Sequence, residues 1–292
     1  MATDKVTTSV LTRLQKRAEE AQNRLDQRAA ETPKQLFLPG MEDFNRAMPN
    51  AIARSSLFAP VARGRRKLHN GTVMVSRADA KIEYSGEQLD EADADIMLQL
   101  MFESRHSPLG EPVEFTRAAF LRALGRTDGK NNYEWLERRI FAMTAATLRI
   151  KTYKPDGQMK YKLGHTRVFH MLSGFDVDEE TGVYTFTIDP RWATMFGNRE
   201  YALVDWIKRL AIPQGQDMAK SLQRLFATSA DTTQRYALEW LKDKLQYSGR
   251  LRDFKQALQR SIEELKRVGI IINGKIELNS RKEEQLTVQI LK

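Results

Sequence analysis

The chain contains no cysteine, which rules out disulfides, thiolate nucleophiles and every zinc site built on sulfur. Histidine is scarce too, at His69, His106, His165 and His170. A rolling-circle nicking enzyme needs two histidines one residue apart on a strand, holding a metal beside a nucleophilic tyrosine. In HTRVFH the separation of five sends His165 and His170 to opposite faces of a strand, so they cannot share a metal there. A phosphate-cradling loop of the form GxxxxGK[ST] is missing as well; the nearest stretch, Gly215 to Ser221 (GQDMAKS), lacks the second glycine and reads as a helix start. No apolar run approaches the roughly 18 residues that would cross a bilayer, and the opening MATDKVTTSVLTRLQKR has no signal-peptide apolar stretch. The acids Asp90, Glu91, Asp93 and Asp95 open a predicted helix, where the helix dipole favours them, and no second acidic cluster completes a Mg²⁺ site. These absences lead us to expect a soluble cytoplasmic protein with no membrane partner, no metal and no cofactor, and not an enzyme.

What is present suits a folded chain with an anionic partner. The 292 residues leave room for two domains and a tail, and 41% hydrophobic residues match a globular composition. Lys and Arg number 47 against 38 Asp and Glu, a net charge of +9, which makes a polyanion the first partner to consider. The charge is uneven. Residues 54–67 hold five basic residues and no acid, and residues 87–103 hold six acids and no base. Residues 117–167 hold 12 basic against 4 acidic residues, and the last 43 residues hold 10 against 6.

Periodicity divides the chain into four parts. Residues 1–32 read as a polar, partly disordered N-terminal helix with a thin seam at Leu11, Leu14, Ala18, Ala21 and Leu25. Residues 33–72, with Pro33, Pro39, Pro49 and Pro60, read as an extended basic linker. In residues 73–189 the order is a short strand at Val73–Val75, an acidic helix with Ser85 and Gln88 placed as a capping box, a strand at Pro112–Phe115, and the helix TRAAFLRALG. A helix from Asn131 to about Thr147 follows, then alternating segments that read as antiparallel strands. The order returns in residues 190–292: helices at Asp217–Ala227, Gln234–Gln246 and Arg250–Val268, then a hairpin about Asn273-Gly274. The predicted fold is α+β, two tandem winged helix-turn-helix domains preceded by an N-terminal helix and an extended linker.

In such a motif the second helix of the pair enters the major groove. The helix RLRDFKQALQRSIEELKRVG has a stripe at Leu251, Phe254, Leu258, Ile262 and Leu265, which turns Arg252, Gln256, Gln259 and Arg260 outward. Arg pairs bidentately with guanine and Gln with adenine; Arg250 and Lys255 suit phosphates. The corresponding helix buries Tyr133, Leu136, Ile140 and Met143 and turns out Asn131, Glu134 and Arg138, with Lys130 at its start. Lys154, Lys160 and Lys162 in the first hairpin and Lys275 in the second are expected to reach the backbone as wings. Amphipathic helices ordinarily show charge to water, but two of them, each before a basic hairpin, favour DNA.

Four blocks, NAIARSSLFAPVARGRRK (50–67), VSRADAKIEYSGEQLDEADADIMLQL (75–100), PLGEPVEFTRAAFLRALGR (108–126) and YEWLERRI (133–140), resemble the TrfA-type replication initiators of broad-host-range plasmids. The resemblance covers most of the chain from about residue 48. It implies two winged helices that bind directly repeated origin sequences (iterons) in double-stranded DNA, help melt the adjacent AT-rich segment and bind its single strand. It further implies host partners, namely DnaA, the replicative helicase and the sliding clamp, and self-association between an active monomer and a DNA-inactive dimer. Gln35-Leu36-Phe37-Leu38-Pro39 is similar to the bacterial clamp-binding peptide at three positions, with Pro39 where an aromatic is preferred; packing of these residues back onto the fold is the other reading. A transcriptional repressor built on the same units, and less so a nicking initiator, are the competing functions.

Overall fold

In the computed structural model the described residues are 38, 39, 41–61 and 66–291. The polar helix expected over residues 1–32 and Gln35, Leu36 and Phe37 of the clamp-like peptide lie outside them. The fold is mixed, with helices set among antiparallel sheets.

The chain opens with strand β1 (Asn45–Pro49) and the short helix α1 (Asn50–Ala53). Strands β2 (Leu68–Met74) and β3 (Ala80–Glu87) lead to helix α2 (Glu91–Glu103). Then come β4 (Pro112–Thr116), α3 (Arg117–Ala123) and α4 (Lys130–Ala145). Three strands follow, β5 (Thr147–Tyr153), β6 (Met159–Leu163) and β7 (Phe169–His170). Next stands the hairpin of β8 (Gly174–Asp178) and β9 (Val183–Thr187). Helix α5 (Trp192–Phe196) and strand β10 (Tyr201–Asp205) run into α6 (Trp206–Ala211). The remainder is α7 (Asp217–Phe226), β11 (Thr233–Ala237), α8 (Leu238–Lys244), α9 (Leu251–Arg267), β12 (Ile271–Leu278) and β13 (Glu284–Ile290).

One unit of helix, strand, two helices and hairpin occurs twice, as α2-β4-α3-α4-β8-β9 and as α7-β11-α8-α9-β12-β13. The sheets agree: β4-β9-β8 in the first and β11-β13-β12 in the second, so each early strand pairs with the last strand of its hairpin. Sequence chemistry explains both. On β4, Phe115 lies opposite Tyr184 of β9 and meets Phe186 edge-on, which buries the sheet's inner face. Helix α9 buries Phe254, Leu258, Ile262 and Leu265 completely, worth roughly 1.5–3 kcal/mol each relative to exposure. Gly125 after α3 and Gly269 after α9 take φ of 68° and 70°, the left-handed conformation that ends a helix most easily without a Cβ.

The first unit carries an insertion. Strands β5, β6 and β7 join β2 and β3 in a separate sheet ordered β2-β3-β5-β6, with β7 also on β5. One apolar cluster runs from Leu38 to Trp206 and a second from Ile212 to Val288.

Several expectations are corrected. The supposed linker is folded over much of its described length: β1 pairs with β10, and Ala47, Met48, Ile52, Leu57 and Phe58 are core residues. Its prolines misled because Pro49 ends an edge strand, a place that tolerates a missing N–H. The cap of α2 is Asp90, whose side chain accepts from Ala92 and Asp93 while Asp93 accepts from the Asp90 N–H; Ser85 lies in β3. Residues 234–246 split into a strand and a shorter helix. The last hairpin turns at Asn279–Glu283, where the Asn279 side chain accepts from the backbone N–H groups of Arg281 and Glu283. Asn273-Gly274 sits within β12, beside a bulge.

Candidate nucleic-acid interface

With its four apolar anchors buried, α9 turns Arg252, Gln256, Gln259 and Arg260 to solvent, and Arg250 at its N-cap is exposed too. Leu251, expected in the buried stripe, is 38% exposed at the helix tip. Two of the expected contacts are engaged within the protein. Lys255 pairs with Glu284 of β13, and the Gln259 amide donates to Glu263 at 3.0 Å. Arg252, Gln256 and Arg260 thus form the open row. Lys275 faces out of β12 but pairs with Glu277 at 2.5 Å. Arg281 and Lys282 are exposed at the tip of the β12–β13 hairpin, a place that an expected turn at Asn273-Gly274 conceals, because NSRKE forms the tip.

On α4, Leu136, Ile140 and Met143 are fully buried, and Tyr133 is half-buried beneath the Arg117 guanidinium, 4.3 Å from its ring. Lys130, Asn131 and Arg138 are exposed. Their neighbour Arg139 is buried. The first hairpin differs from expectation. Lys160 and Lys162 lie on β6 of the inserted sheet and Lys154 in the turn before it, whereas the hairpin that pairs with β4 is β8–β9, whose exposed acids are Asp176, Asp178, Glu179 and Glu180. Lys160 pairs with Glu200. Lys162 instead joins a cationic row that sequence reading overlooked: Lys81 stands opposite Lys151, and Lys151 opposite Lys162. Lys81 is offset by Glu83 at 2.9 Å; Lys151 and Lys162 remain directly opposed, which is unfavourable for like charges and suits an anion. His165 feels the same field: burial first, then Lys151, lowers its pKa below the ordinary value. Matching residue parity along three strands was the available signal.

The acids of α2 serve structure, as expected, and do so across the two units. Asp93 is gripped by Arg139, at 2.7 and 2.9 Å, and by Arg66 at 2.9 Å. Glu91 receives Arg209 of α6 at 2.9 Å and also Arg224 of α7. Asp95 pairs with Arg209 and with Lys220 at 2.7 Å. Burial works to raise the pKa of Glu91 and Asp95, but the surrounding guanidinium and ammonium groups win and hold both below their ordinary values. Behind them, Lys244 is fully buried, donates to Ser221 Oγ at 3.0 Å, and is pushed down to about 7 by burial and then by Arg224, against the pull of Glu91. Among the described residues no cluster of His, Asp and Glu has the arrangement of a metal site. Nor is any described helix long and apolar enough to cross a membrane.

Residues 14–279 match the TrfA protein family. The chain belongs to that family. It is accordingly a plasmid replication initiator by descent. Its fold is similar to crystal structures of domains 2 and 3 of RctB. One gives a TM-score of 0.56 at 14% identity, covering 84% of this chain and 99% of that one. Another gives 0.53 at 13% identity, covering 83% and 97%. The Pi initiator protein in complex with iteron DNA gives 0.49 at 14% identity, covering 69% of this chain and 94% of that one. Comparison with curated proteins returns no match.

The clamp-like peptide meets the described structure only at its end. Leu38 is a buried member of the first core, so this residue packs back onto the fold.

Proposed function

We propose that this protein starts plasmid replication by holding directly repeated origin sequences in its two units, each acting as a winged helix-turn-helix. The observation that carries the reading is the recurrence of one strand order behind two helices that turn arginine and amide side chains to solvent, in a chain of the TrfA family. Helix α9 is the main reader. Its Arg252, Gln256 and Arg260 have the donors and acceptors for base edges, while Arg281 and Lys282 at the hairpin tip reach the adjoining backbone. Helix α4 reads a neighbouring stretch with Asn131 and Arg138, and the Lys81, Lys151 and Lys162 row takes phosphates.

Opening of the AT-rich segment then needs no covalent step, and the protein is not an enzyme. Several copies on phased repeats bend and strain the duplex, and capture of one separated strand offsets the cost of unstacking. Recruitment of DnaA, the replicative helicase and the sliding clamp, and a dimer that limits copy number, come to this reading from the family resemblance, as does a cytoplasmic site of action.

The test is a footprint on the plasmid's own origin together with a minimal-origin replication assay. Protection of tandem repeats, and failure of the plasmid to replicate without the protein, are expected. Protection confined to a promoter, with replication unaffected, would make it a repressor. A covalent tyrosyl adduct on supercoiled origin DNA would make it a nicking enzyme.

A further inference from the structure

We propose that the groove between the β2–β3 turn and the corner of β11 and α8 binds unpaired bases of single-stranded DNA by stacking. The proposal rests on the initiator reading and assigns its strand-capture step to particular residues. The groove is open to solvent and offers about 570 Å³, room for a nucleobase and its sugar to lie along it. Two aromatic rings, Tyr236 and Trp240, line it, and the buried Phe226 continues their stack into the core behind. Phe226, Tyr236 and Trp240 succeed one another with nearly parallel rings: centroids are 5.6 Å apart at 28° for the first pair and 6.1 Å at 15° for the second. Tyr236 is the buried middle member, while Trp240 is half-buried and lines the opening.

The charge is right for a polyanion. The Arg77 guanidinium lies 5.5 Å from the Tyr236 ring centre and 5.8 Å from that of Trp240, and the exposed Arg235 lines the same groove. Asp79 also lines it, but Arg54 compensates that carboxylate at 2.8 Å. The polar handles of the rings are spent internally: Trp240 Nε1 donates to the Ser76 carbonyl at 3.4 Å, and the Tyr236 hydroxyl donates to Gln234 at 2.5 Å. What the groove offers a ligand is therefore ring face, guanidinium plane and positive charge, the combination that holds single strands with little regard to sequence. Ala78 and Ala237 leave its lining low. A base inside a duplex presents only its edges, so this groove selects strands already separated.

The full chain should bind fluorescein-labelled oligothymidylate with quenching of tryptophan fluorescence. Trp240→Ala should weaken that binding by about tenfold, within the range found for removal of one stacking partner. Trp240→Phe should keep most of the affinity and lose most of the quenching. Arg77→Ala with Arg235→Ala should weaken binding and flatten its dependence on salt. Affinity for duplex origin repeats should stay within about twofold of the parent in all three, since the effect is stacking on a single strand. The proposal is overturned if Trp240→Ala and the double arginine variant, each folded by circular dichroism, bind the oligonucleotide as the parent does; a groove made for a protein partner would behave that way. It is also overturned if duplex and single-strand affinities fall together. Failure of the parent to bind the oligonucleotide would end it while leaving the footprint on duplex repeats as a separate question.

Discussion

The two units share one strand order but carry opposite charge at the tips of their hairpins. The β8–β9 tip presents Asp178, Glu179 and Glu180, whereas the β12–β13 tip presents Arg281 and Lys282 against the single acid Glu283. An acidic tip is repelled by phosphate, and a basic one grips it. The cations that the first unit lacks at its hairpin lie instead on the inserted sheet, at Lys81, Lys151 and Lys162. Topology is therefore shared while the charged surface is not, and under the proposed function this divides the labour: the second unit grips and reads, the first supports and extends.

Four measurements bear on that comparison. The strongest concerns what the units share. Glu91→Gln strips the carboxylate from between Arg209 and Arg224, leaving buried guanidinium charge, and should cost roughly 3–5 kcal/mol in urea unfolding. A loss well under that range would mean that the units stand independently. Next, Arg252→Ala should cost about 1–3 kcal/mol of site binding and relax preference at one base position. Arg138→Ala in the first unit should cost about 1 kcal/mol or less, spread evenly over sequences; equal losses would dissolve the proposed division.

The third is a pH dependence lodged at the junction. The folded chain releases the Lys244 proton near 7, the unfolded chain near 10.5. Between those values the unfolded state binds more protons, so stability gained from this group rises with pH, by at most about 1.4 kcal/mol per unit. Lys244→Met should remove that rise, read from urea midpoints between neutral and mildly alkaline pH. The smallest effect sharpens the contrast of the tips. Arg281→Ala with Lys282→Ala should weaken binding to all sequences a few-fold and lower the salt slope by about two. Glu179→Gln with Glu180→Gln should strengthen it slightly.

Local periodicity made the helices legible. Phe254, Leu258, Ile262 and Leu265 recur at helical spacing, and that spacing alone names the outward row. Partnership was not legible. Alternation marks KPDGQMKYK as a hairpin, yet nothing within it says which sheet it joins, so Lys154, Lys160 and Lys162 were assigned to a wing. The acids of α2 were read as structural, but their partners lie 118 and 133 residues away for Glu91, beyond any local pattern. Arg138 and Arg139 show the limit finely. Helical phase puts Arg139 on the side of Leu136 and Ile140, and the distant Asp93 and Glu87 make a buried guanidinium acceptable there.

The seam locked by Glu91 and Asp95 sets a rule for the DNA. Under the proposed function, two readers tied together through these interior ions would act as a ruler, with a set spacing between their marks along the double helix. Since B-DNA turns once in about 10.5 base pairs, inserting five base pairs inside a repeat would swing one mark to the far side, while inserting between repeats would leave each copy's own measurement intact.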